Sequence, residues 1–129
     1  MQIADTIVLV AAINPRNKNH SLASRYLALM GSDEETFLPI ASAIEFDLVM
    51  KGRKYTPIQR RDALDWLEQV VPSSKIICNS LISLGGAAEL QESRRMGYFD
   101  SIVTALAIEK NATVLTPDKQ ISEITRTKW

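Results

Sequence analysis

The run YFDSIVTALAIEKNATVLTPD, residues 98–118, constrains the fold most, because it sets two carboxylates, Asp100 and Asp118, at two predicted helix starts with an apolar strand between them. Ile102, Ala105, Leu106 and Glu109 recur with a period of about 3.6, which predicts an amphipathic helix over 99–110 that opens at Asp100 and stops at Asn111. Ala112 to Thr116 is a short β-branched run, and Thr116-Pro117-Asp118 is a turn into a further helical stretch, Lys119 to Ile124. Helix, strand, turn and helix in that order suit a parallel α/β sheet. In such a sheet ligands bind in the crevice beyond the carboxyl ends of the strands, and Asp118 lies just past one.

The rest of the chain repeats the alternation. Residues 2–13, QIADTIVLVAAI, form an apolar run broken by Asn14-Pro15. Either Thr6 to Val10 is a strand, or a short strand ends at Asp5 and a buried helix follows. A helix is predicted from Ser21 to Met30, a strand from Thr36 to Ile40, and a helix from Ala41 to Lys51 with Ala41, Ile44, Leu48 and Val49 facing inward. Glu45 follows Ile44 in that helix. Thr56-Pro57 starts another helix whose inward stripe is Ala63, Leu64, Leu67, Val70 and Val71, widened by Trp66. Lys75 to Asn79 reads as a third strand and Leu81 to Met96 as a helix, with a break or a close packing contact at Gly85-Gly86. The last residues, 125–129, read as a terminal strand or a frayed tail. The order implies one α/β domain over 1–129 with a mainly parallel sheet.

With 129 residues, 46% of them hydrophobic, the chain is long enough to bury a single core. Lys plus Arg and Asp plus Glu both total 15, so whole-chain charge draws in neither nucleic acid nor an acidic partner and the charges must be read by position. KGRKYTPIQRR carries Lys51, Arg53, Lys54, Arg60 and Arg61 without an acid, which marks the best candidate for a phosphate-contacting surface or else a solvated helix end. Arg94 and Arg95 either flank the same cleft or form a solvated face, and Tyr98 and Phe99 either stack on a base or, as expected, pack against the core. The single cysteine, Cys78, excludes an intrachain disulfide, and its apolar surroundings KIICN predict a buried, inert thiol. His20 alone cannot make a two-histidine ribonuclease site. No run approaches the roughly 18 apolar residues of a membrane span, and the N-terminus lacks a signal-peptide succession, so a cytoplasmic protein is expected.

Asp5, Glu45, Asp100 and Asp118 converge at one sheet edge if this architecture holds. Carboxylates a few ångströms apart stay ionised together only beside a cation, and oxygen ligands without a Cys/His cluster favour Mg²⁺ or Mn²⁺ over zinc. Asp at a helix start also has a purely structural use, accepting hydrogen bonds from free N–H groups. A phosphoacceptor domain wants an adjacent acidic pair, but Ala4 precedes Asp5, and a haloacid-dehalogenase phosphatase wants Asp-x-Asp, but Asp5-Thr6-Ile7 lacks the second acid.

Asp5-Thr6 with its apolar run and Asn14-Pro15, IASAIEF with Glu45, YFDSIVTALAIEKNA, and TVLTPDKQISEI together resemble the PIN-domain nucleases, especially the VapC-type toxin ribonucleases. The resemblance spans the chain in order. It implies a three-layer α/β/α fold and the strand-then-helix reading of residues 2–13. It also implies that Asp5, Glu45, Asp100 and Asp118 are catalytic and bind Mg²⁺ or Mn²⁺, with Thr6 and Thr116 orienting them. The implied activity is endonucleolytic cleavage of RNA, by the toxin of a toxin–antitoxin pair. A homodimer and an antitoxin whose inserted segment blocks the site are the implied partners. Two positions depart from the family pattern. Ile7 replaces the usual Ser or Asn, removing a polar contact of a kind that commonly affects metal sites 10- to 100-fold. Ile121 replaces a Phe or Tyr, a packing change. Ile7 keeps open an alternative, a catalytically weak or inactive PIN fold that binds RNA or another protein.

Overall fold

The computed structural model covers residues 1–129. Its elements in order are β1 (Gln2–Ala4), α1 (Thr6–Ile13), α2 (His20–Ser32), β2 (Thr36–Pro39), α3 (Ile40–Gly52), α4 (Pro57–Val70), β3 (Ile76–Ile77), α5 (Leu81–Arg94), α6 (Tyr98–Lys110), β4 (Thr113–Leu115), α7 (Lys119–Ser122) and β5 (Thr127–Lys128). The chain therefore adopts the second reading of residues 2–13, a strand of three residues and then a helix capped by Asp5. The tail closes as a strand.

The five strands form one parallel sheet in the order β3-β2-β1-β4-β5. Alternate side chains divide the core. Ala4, Leu38 and Leu115 face α1 to α4, in one cluster with Leu9, Tyr26, Met30, Phe46 and Leu67. Ile3 and Val114, one residue earlier in their strands, face α6 and α7 with Val103, Leu106 and Ile121. This is the expected three-layer α/β/α arrangement. No helix is long and apolar enough to cross a membrane.

Several sequence expectations are corrected by position in the layers. Residues 101–107 of α6 are all buried, so this helix is enclosed on every side by the sheet, α3 and α5 rather than amphipathic. Its Asn111 takes φ 51°, the left-handed conformation that ends a helix. In α3 Ala41 is buried as expected, but the rest of the inward face is Ser42, Phe46 and Met50, a period of four, while Ile44 and Leu48 are 50% and 48% exposed. In α4 Leu67 and the following Val71 are buried but Val70 is exposed; Thr56 and Gln59 form a capping box ahead of Pro57. Helix α5 runs unbroken through both glycines, and a Cβ would meet only Ala105 at an ordinary 4.0 Å from Gly86 and nothing within 4 Å from Gly85, so neither the expected break nor a close packing contact is found there. Cys78 is exposed, because β3 is a two-residue edge strand that ends before it.

Candidate metal centre

Strand order reverses direction at β1, whose neighbours β2 and β4 lead to opposite edges, and the crevice at that switch point is where a parallel sheet leaves room for a ligand. Asp5 ends β1 there and Asp118 follows β4. Asp100, in the first turn of α6, and Glu45, in α3, are brought to the same crevice by the helices that cross it. One oxygen from each of Asp5, Glu45 and Asp100 lies within 4.8 Å of the others. Asp118 stands beside this trio, close enough for its charge to act on Asp100.

Hydroxyls hold the carboxylates. Thr116 Oγ1 donates to Asp5 Oδ2 at 2.7 Å and accepts from the Asp118 backbone N–H at 3.1 Å, joining the ends of β1 and β4. Asp5 Oδ1 accepts from the Thr6 N–H at 2.7 Å, and the Thr6 hydroxyl donates to Glu45 Oε2. Asp118 Oδ1 caps α7 through the Ile121 N–H at 3.1 Å, so its structural use is realised as well. The Asp100 carboxylate accepts no such bond. Gly97 opens α6 beside it, and a Cβ there would lie 3.2 Å from Asp100 Oδ2. Ser42, which sequence reasoning missed, is fully buried and donates to the Ala4 carbonyl at 2.9 Å, fastening α3 to the end of β1. Its signal was a lone hydroxyl on an otherwise apolar helix face.

Burial pushes Asp5 up to about 6 against two hydrogen bonds that oppose it, and the charges of Asp100 and Glu45 add to the rise. Burial raises Glu45 as well, opposed by Thr6 and assisted by Asp100, and it raises Asp100, assisted by Asp118. The chain supplies these acids with no cation: its ion pairs are Met1–Glu35, Arg60–Asp47 and Arg61–Asp65. Converging carboxylates, desolvated and uncompensated, fit a hard divalent ion bound through oxygen.

The basic segment lies elsewhere. Arg53 caps the carboxyl end of α3, eight residues and about 12 Å along that helix from Glu45, and borders a small hollow with Val10, Ile13, Phe46, Met50 and Tyr55. Arg60 is held by Asp47 at 2.9 Å, while Lys51, Arg53 and Lys54 are exposed. Tyr98 is 64% exposed rather than packed in the core, its ring meeting Phe99 edge-on at 5.3 Å.

A three-layer parallel α/β domain with an acidic cluster at its switch point is the class that fold and site define. The PIN-domain profile matches residues 3–126, and the chain belongs to the PIN-domain family. The resemblance read in the sequence is thus borne out. No curated protein matches at the level of sequence alone. Among solved structures the chain is similar to VapBC2 from Rickettsia felis bound to a DNA fragment from their promoter, at TM-score 0.73 and 21% identity over 99% of this chain and 98% of that one. It is similar to a toxin–antitoxin complex from Klebsiella pneumoniae, at TM-score 0.69 and 17% identity over 100% and 97%. It is also similar to VapC20 of Mycobacterium tuberculosis, a sarcin–ricin loop cleaving toxin, at TM-score 0.72 and 17% identity over 95% and 94%.

Proposed function

We propose that residues 1–129 act as one PIN unit, a Mg²⁺- or Mn²⁺-dependent endoribonuclease that is the toxin of a toxin–antitoxin pair. The observation that carries this reading is the convergence of Asp5, Glu45 and Asp100 within 4.8 Å, raised in pKa and without a protein counter-charge, at the switch point of a PIN fold. Asp5, Glu45, Asp100 and Asp118 are the metal-holding and catalytic residues. A divalent ion held by that set would supply acidified water and positive charge for phosphodiester hydrolysis.

The chain's own residues do the positioning. Thr116 and the Thr6 N–H each occupy one lone pair on the Asp5 oxygens, which leaves the others facing the crevice. Thr6 fixes Glu45, Asp118 keeps Oδ2 free while Oδ1 caps α7, and Asp100 enters unrestrained by hydrogen bonds. No nucleophilic side chain takes part; water attacks and the ribose oxygen leaves. Lys51, Arg53, Lys54, Arg60 and Arg61 contact phosphates of the RNA at the distal end of α1.

The likeness to a sarcin–ricin loop cleaving toxin supports RNA as substrate, in the cytoplasm, and the likeness to toxin–antitoxin assemblies supports an antitoxin partner. Ile44 and Leu48 on α3, and Leu81 and Ile82 on α5, are exposed apolar side chains of the kind a homodimer buries.

Cleavage of a mixed structured and single-stranded RNA pool tests the reading, with Mg²⁺, Mn²⁺ or chelator, beside Asp100→Asn. Wild-type cleavage that needs the ion and falls at least about 100-fold in the variant is expected, because the amide keeps the shape but loses the charge. Wild-type protein that binds RNA and never cuts it would instead make the chain a binding module. Ile7, partly exposed in the first turn of α1 beside Thr6, is the departure that favours this second reading, and Ile7→Ser would be the first reversion.

A further inference from the structure

We infer that the connection between α5 and α6, together with the start of α7, is the RNA-strand contact nearest the acids: Arg94, Arg95 and Lys119 hold phosphates and Tyr98 stacks on a base. This rests on the ribonuclease reading and specifies which surface of the chain takes the single strand beside the cut.

The connection is short and anchored at both ends. Met96 is buried among the residues under the sheet, and Gly97 comes against the Asp100 carboxylate, where a Cβ would stand 3.2 Å from Oδ2. Two residues of backbone, at most about 7 Å, separate Arg95 from that point. Gln120 Nε2 donates to the Arg94 carbonyl at 3.1 Å, which ties the end of α5 to α7, the helix capped by Asp118. The helix end that carries Arg94 and Arg95 is thereby joined to the helix that Lys119 opens directly after Asp118. All three are exposed and none enters an ion pair. Arg95 is two residues from Gly97 and Lys119 is next to Asp118, so these cations flank the acids from the α5–α6 side, whereas Lys51, where the other basic segment begins, lies six residues and about 9 Å beyond Glu45 along α3.

Two further observations describe what this connection offers an RNA strand. Arg95 takes φ 53° and ψ 35°, a left-handed conformation at a helix end where glycine or asparagine relieves strain. Arginine there carries a backbone cost, as does Lys54 at φ 66° in the other basic segment, so both cationic surfaces keep a left-handed residue and the conformation fixes only where Arg95 leaves the helix. Tyr98 exposes 64% of its surface and has its ring orientation set by the edge of Phe99. An aromatic face flanked by cations is how sequence-tolerant single-strand sites are built, the bases stacking while the phosphates pair.

The test is binding of a fluorescein-labelled single-stranded RNA of about 20 nucleotides in chelator, by anisotropy over a salt series. Wild type, Arg95→Gly, Arg95→Gly with Lys119→Gln, and Tyr98→Ala are compared. The double variant is expected to bind at least about tenfold more weakly, with the slope of log K against log salt reduced by about 1.4, two phosphate contacts at about 0.7 each on a single strand. Tyr98→Ala is expected to weaken binding at every salt with the slope unchanged. Arg95→Gly should melt no lower than wild type, since glycine suits that backbone, so its loss of binding cannot be misfolding. Wild-type slope and affinity in the double variant, or no binding by wild type, overturns the inference; unchanged binding by Tyr98→Ala overturns the stacking contact. Cleavage of the same oligonucleotide by wild type in Mn²⁺ separates the two readings. Cutting with variant binding intact removes this contact and leaves the nuclease; binding lost in the variants without any wild-type cutting removes the nuclease and leaves the contact.

Discussion

Asp5 and Asp100 are both aspartates at helix starts, yet they are held in opposite ways. Asp5 accepts from Thr116 and from the Thr6 N–H, whereas the Asp100 carboxylate is placed by packing alone, with Gly97 making the room. Its position is therefore sensitive to a single methyl group. Gly97→Ala puts a Cβ tighter against Oδ2 than ordinary contact allows, at a φ of −59° that alanine adopts freely. The backbone should tolerate the change and the carboxylate should turn. We expect cleavage to fall about tenfold with a stability change under about 1 kcal/mol, checked by initial rates and a urea melt on the same preparation. Equal loss of stability and activity would place the effect in the fold instead.

Elements carry these side chains to the crevice, and their legibility in the sequence followed their environment. Helix α6 reads as amphipathic because Ile102, Ala105, Leu106 and Glu109 share a spacing, but small residues such as Ser101, Ala105 and Ala107 let it sit inside the layer with every side enclosed. Small residues have little hydropathy to report that burial. In α3 the apolar positions Ile44 and Leu48 outweighed Ser42 in the pattern, although Ser42 is the buried one. Periodicity weighs hydrophobicity, and a hydroxyl that meets a backbone carbonyl escapes it. Strand order, and with it the switch point, is a non-local property that no local pattern contains. Asp5, Asp100 and Asp118 could be named because strand ends and helix starts are local; Glu45, in the middle of α3, and the convergence of the set came only with the assumed architecture and the family resemblance. Ser42→Ala tests the fastening of α3 to β1, since it leaves the buried Ala4 carbonyl without that donor. A loss of about 1–2 kcal/mol is expected from the shift of the urea midpoint, with the urea dependence unchanged.

At the scale of the whole molecule the acid cluster opposes the fold that creates it. The folded protein binds the Asp5 proton more readily than the unfolded chain, with a pKa of about 6 against 3.8. Its contribution to stability is therefore fully present below pH 3.8 and is lost as pH rises through about 6. At neutral pH the opposition amounts to about 3 kcal/mol for this one group. Glu45 and Asp100, also raised, act in the same direction. A divalent ion bound by the ionised acids would stabilise the folded state by RT ln(1 + c/Kd), with c the free ion concentration, and most where the carboxylates have lost their protons. The most direct measurement is thermal melting at pH 5 and pH 7.5, with chelator or with Mn²⁺, of wild type and Asp5→Asn. In chelator the wild type should lose more stability between the two pH values than Asp5→Asn does, and Mn²⁺ should raise its melting temperature by several degrees at pH 7.5 and much less at pH 5. A wild type that gains nothing from Mn²⁺ at pH 7.5, or an Asp5→Asn variant that gains as much, would contradict a metal centre built on these carboxylates.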